Sequence, residues 1–126
     1  MHLAANRGHI KIVQLFLDHY QIENKNPKDD KGITPIHKAA QKGNDKIVQL
    51  FLNHPQIENK NPKQNNGITP MHLAALFGHD TIVKLFLDHD EIEDKNPEDE
   101  DGVTPMSLAK ALGHENIVQI IKSTLE

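Results

Sequence analysis

One tetrapeptide recurs at a fixed interval. Gly32-Ile33-Thr34-Pro35 returns as Gly67-Ile68-Thr69-Pro70 and as Gly102-Val103-Thr104-Pro105, each time offset by 35 residues. The offset holds for everything between these segments. Residues 1–35 match 36–70 at 24 of 35 positions, residues 36–70 match 71–105 at 19, and 106–126 form a shorter fourth copy. A shared period of this length restricts the fold more than any single residue does. Each copy is one supersecondary unit that can bury its apolar face only by stacking on its neighbours. The chain therefore reads as a single repeat domain over 1–126, with copies at 1–31, 32–66, 67–101 and 102–126.

Within a copy the spacing predicts two short helices and a long connection, an all-α stack of helix-turn-helix units. Thr34 can cap orphan amides, and Pro35 suits the first helical position. The segment from Ile36 to Lys42 then meets Gly43, the residue best suited to a left-handed helix stop. Ile47, Val48, Leu50, Phe51 and Leu52 give a second helix a broad apolar face. The pairs Ala4-Ala5, Ala39-Ala40 and Ala74-Ala75 are small enough for close helix approach. Segments such as 56–66, rich in Asn, Lys, Pro and acids, read as turn and extended loop.

The register also accounts for the composition. Nine histidines in 126 residues look like chemistry, yet they fall in three columns: His2, His37, His72; His9, His79, His114; and His19, His54, His89. Packed helices lie roughly 8–10 Å apart, whereas ligands of one zinc must each lie about 2.0–2.1 Å from it. The columns are thus expected to be structural, with the third at the ends of the second helices, where positive charge is favourable. No nucleophile–base pair, phosphate-cradling loop or His-Glu-x-x-His spacing is present, so no catalysis, metal or cofactor is expected. The chain has no cysteine, hence no disulfide or thiolate chemistry. A net charge of −4 argues against nucleic acid as a partner. No apolar run approaches membrane-spanning length, and no signal-like start is seen. An intracellular, cytoplasmic location is expected.

The repeat resembles the ankyrin repeat. Gly67-Ile68-Thr69-Pro70-Met71-His72-Leu73-Ala74-Ala75, then Gly78-His79, then Ile82-Val83-Lys84-Leu85-Phe86 echo that family's pattern along the whole chain. The period is 35 where the family's is 33, with the extra residues in the loop after the second helix. Met1, Ile36, Met71 and Met106 stand where Leu is usual. The resemblance implies a solenoid with hairpin-like loops. It also implies a concave face lined by the first helices, and binding of partner proteins there without catalysis. It further implies that His37 and His72 bond back to the turn and to the neighbouring copy.

Specificity is expected where copies differ. On the family's layout the recognition positions include the ends of the first helices, Asn6-Arg7, Gln41-Lys42, Leu76-Phe77 and Ala111-Leu112. They also include the loop tips Asp30-Lys31, Asn65-Asn66 and Glu100-Asp101, followed by Ile33, Ile68 and Val103. From these we expect partner contacts at Arg7, Lys31, Ile33, Lys42, Asn66, Ile68, Leu76, Phe77, Glu100, Asp101, Val103 and Leu112. Leu76 and Phe77, beside Ile68 and Leu112, form the expected apolar centre. Residues 88–101 hold nine acids against one lysine, an expected rim for a basic partner. Asp99-Glu100-Asp101-Gly102 lacks the alternating ligands of a calcium loop.

The two ends differ. Lys110 replaces Ala and Lys122 replaces Leu, with Ser123 and Thr124 following, so polar residues stand at otherwise packed positions, as a terminal cap requires. The first copy has interior-type residues and no Gly-x-Thr-Pro start, so its leading face should be apolar. That suggests a piece of a longer array or an alternative role as a module that self-associates through its first repeat.

Overall fold

The structure, a computed structural model, describes residues 1–19 and 23–126; Tyr20, Gln21 and Ile22, inside the first copy's expected loop, lie outside the described residues. Eight helices occur among the described residues: α1 (His2–Arg7), α2 (Ile10–Asp18), α3 (Pro35–Lys42), α4 (Asp45–Asn53), α5 (Pro70–Leu76), α6 (Asp80–Asp88), α7 (Pro105–Leu112) and α8 (Glu115–Leu125). No strand is formed among them. The odd helices pack side by side as one layer and the even helices as a second, each copy contributing one helix to each.

Thr-Pro starts α3, α5 and α7, and a left-handed Gly stops α1, α3 and α7, as the sequence predicts, with one refinement. The Thr34 hydroxyl accepts the His37 amide at 3.4 Å, and the Thr34 amide donates to His37 Nδ1 at 3.1 Å. This is a capping box in which imidazole replaces the usual acid or amide. Thr69 and His72 repeat it, whereas Thr104 uses the shorter Ser107. At the far end, Gly43 takes φ 76° and ends α3. A side chain there would be strained, and its Cβ would also meet the His79 ring at 2.8 Å.

Burial follows the expected stripes. Ile47, Val48, Phe51 and Leu52 of α4 and their equivalents in α6 are buried between the layers. Ala39, Ala40, Ala74 and Ala75 are wholly buried, which lets the odd helices lie close.

After α4 and α6, and from residue 23 in the first copy, the chain runs into a finger. Its tip closes through Asp29 N–H to Ile33 O at 2.9 Å, repeated from Gln64 to Ile68 and from Asp99 to Val103. Successive tips are laced together, since Asn65 N–H donates to Lys31 O at 2.9 Å and Glu100 N–H to Asn66 O at 3.0 Å. This approach needs Gly67 (φ 85°), because a Cβ there would lie 2.8 Å from the Glu100 nitrogen.

Candidate partner-binding surface

The junctions between copies consume much of what looked like chemistry. His2, His37 and His72 each place Nε2 on a carbonyl of the following copy, Ile33, Ile68 and Val103, at 2.8, 3.0 and 2.8 Å. His79 and His114 reach back to the ends of the preceding odd helices, at Gln41 O and Leu76 O. His54 and His89 stand at the ends of α4 and α6. Each donates Nε2–H to the end of the preceding even helix, Leu17 O at 3.0 Å and Leu52 O at 2.8 Å. Each also accepts an amide at Nδ1, from Gln56 and Glu91. Burial pushes the His37 imidazole down to about 4, only partly opposed by its bond to Ile68 O, and lowers His72 in the same way. Among the described residues no group of three or more His, Asp or Glu is arranged to hold a metal ion.

A second set of junction residues escaped the sequence reading. Lys25 and Lys60 are buried, and their ammonium groups bond His19 O and His54 O; Lys95, half-buried, bonds His89 O at 2.6 Å. The asparagine after each lysine accepts the second amide of the next odd helix, as Asn61 does from Met71 at 3.3 Å. Burial lowers the Lys60 ammonium, and the exposed Glu91, 3.9 Å away, partly restores it. The signal was the invariant Lys-Asn-Pro of all three loops.

What remains for a partner lies on the odd helices and the finger tips. Arg7, Lys42, Phe77 and Leu112 are exposed at the ends of α1, α3, α5 and α7, and Phe77 is the residue that caps α5. Phe77 is 48% and Leu112 50% exposed, while Leu76 is half-buried and its carbonyl takes the His114 bond. Lys31, Asn66, Glu100 and Asp101 are exposed on the tips, and Ile33, Ile68 and Val103 are half-buried behind them. The expectation that Ile68 lies beside Phe77 is corrected by this arrangement. The two stand at opposite ends of α5, whose 7 residues span about 10 Å. The same length of helix separates the acidic tips from the apolar ends.

Two half-buried leucines bridge that gap. Leu73 lies four residues before Phe77 and Leu108 four before Leu112, so each pair shares a helix face. The corresponding pairs are Leu3 with Arg7 and Lys38 with Lys42. At these positions the layer of odd helices carries three basic residues and the exposed Leu3 in its first half, and only apolar side chains in its second. The i, i+4 spacing was the sequence signal for Leu73 and Leu108.

A family model described as ankyrin repeats, in 3 copies, matches residues 1–61 and again 54–124. The chain belongs to the ankyrin-repeat family. No curated protein matches it closely enough to serve as a relative. Ankyrin repeats are in general protein–protein interaction modules and non-enzymatic scaffolds. None of the described helices of this ankyrin-repeat chain is long and apolar enough to cross a membrane.

Proposed function

We propose that this ankyrin-repeat chain is a non-catalytic scaffold that binds a partner protein across α5 and α7 and the third finger. The observation that carries this reading is the exposure of Phe77 and Leu112 on adjacent helices whose earlier counterparts are Arg7 and Lys42. A large aromatic left half in solvent beside a second apolar side chain is what an interface anchor looks like before it is covered. About 10 Å away along the helices, Glu100 and Asp101 favour a basic group on the same partner. Acidic contacts would fall on Arg7 and Lys42. The bonded state of the histidine rings supports a scaffold over an active site. The lack of cysteine fits a cytoplasmic setting.

A second reading rests on the leading face of the first helix pair. Ile12 is 44% exposed where its counterparts Ile47 and Ile82 are wholly buried, and Leu15 is 71% exposed. A second copy could cover that face. Head-to-tail stacking is opposed by Lys110 and Lys122, exposed where Ala75 and Leu87 are buried, so such a pair would be isologous.

A photo-reactive residue placed separately at positions 77, 12 and 84 discriminates the two. Position 84 lies on α6, in the layer of even helices, and is exposed. The first reading expects a foreign protein captured at 77 and not at 84. Capture of the chain itself at 12, with nothing at 77, would replace it with the second.

A further inference from the structure

Asn66 is the only one of eleven asparagines followed by glycine. It sits exposed on the tip of the second finger, with its Oδ1 accepting the Ile68 amide at 3.2 Å. That bond folds the side-chain amide over the Gly67 peptide unit and polarises its carbonyl. Gly67, at φ 85°, has no side chain to shield its nitrogen. We propose that Asn66 is a site of spontaneous covalent modification, a deamidation that gives the second finger tip the Asp-Gly pair of the third.

The step is self-contained. The Gly67 backbone nitrogen attacks Asn66 Cγ; the N–Cγ bond forms, the Cγ–Nδ2 bond breaks, and ammonia leaves with the Gly67 amide proton. Water then opens the five-membered imide. Addition at Cγ gives aspartate, and addition at the main-chain carbonyl gives isoaspartate, with the backbone routed through Cγ. The balance is one water consumed and one ammonia released. Attack requires the Gly67 N–H bond to Gln64 O, 2.9 Å long, to open. The carbonyl of the same peptide unit is held by the Glu100 amide at 3.0 Å, so the unit turns freely only when both bonds open, and neither bond lies in a helix.

Position 66 matters because of what adjoins it. Its counterparts are Lys31 and Asp101, so the aspartate product reproduces the Asp101-Gly102 pair and extends the acidic surface by one tip. The main-chain carbonyl of Asn66 also accepts the Glu100 amide at 3.0 Å, the rung between the second and third fingers. Aspartate leaves that rung in place. Isoaspartate lengthens the chain by one methylene at the acceptor and breaks it.

The test is ageing of the folded protein in mildly alkaline buffer at body temperature, followed by peptide mapping with mass spectrometry and separation of the two isomers. The expected result is conversion at Asn66 well ahead of every other asparagine, and its loss in Asn66→Gln. Hydrogen exchange at the Glu100 amide should accelerate in the isoaspartate fraction and stay unchanged in Asn66→Asp. Asn66 remaining intact while other asparagines convert would overturn the proposal. Equal Glu100 exchange in the two product forms would overturn its structural consequence.

Discussion

At the scale of single residues, the histidines decide how the chain should respond to acid. His37 and His72 each accept a threonine amide at Nδ1 and donate from Nε2 to the next copy, an arrangement open only to the neutral ring. For His37 the folded-state pKa of about 4 lies below the ordinary 6.5, so the unfolded chain takes up protons first as pH falls. Stability is therefore complete above 6.5 and is lost progressively toward 4, by on the order of 3 kcal/mol from His37 alone. Asp29, held below the usual carboxylate range by its bonds to the Ile33 and Lys31 amides, adds a loss in the same direction at lower pH. Urea unfolding at a series of pH values checks this; a flat midpoint across the His37 window would show that the rings are not held neutral. The columns were legible in the sequence because copying placed them in register. Their charge state was not, because it depends on which backbone groups lie at each ring nitrogen.

At the scale of elements, helix starts and stops could be read from Thr-Pro and Gly, whose preferences are local. The loops were harder. A lysine in a polar loop reads as solvated, since lysine is seldom buried without a partner. Here its partner is a helix-end carbonyl six residues earlier, which only the folded loop brings within reach. Lys60→Met should therefore remove the charged donor from His54 O, leaving it only the Ile57 amide at 3.2 Å, and destabilise the protein by about 1–3 kcal/mol. Lys95→Met, at a half-buried position, should have the smaller effect. Denaturant midpoints of the two variants test the ranking; equal midpoints would mean that burial of the ammonium does not set its contribution. The fingers were foreseen as hairpin-like, but their lacing into a ladder was not, because its rungs link backbone groups a full repeat apart.

At the scale of the whole molecule, the stack separates two kinds of position. Residues repeated from copy to copy hold neighbours together, as His37, Lys60 and Ala39 do, and residues that depart from the register are left for recognition. The sequence placed the departures at Leu76, Phe77 and Leu112. Which of them faces solvent was settled by packing: Leu76 turns partly inward, while Phe77 and Leu112 do not. The central claim is that these two side chains bind a partner and contribute little to the fold. Its most direct test is the double variant Phe77→Ser with Leu112→Ser. Affinity for the partner captured at position 77 is measured alongside the melting temperature. The account predicts a loss of about 3 kcal/mol in binding, roughly a hundredfold, with melting almost unmoved. Unchanged affinity, or a variant that melts far earlier, would contradict it.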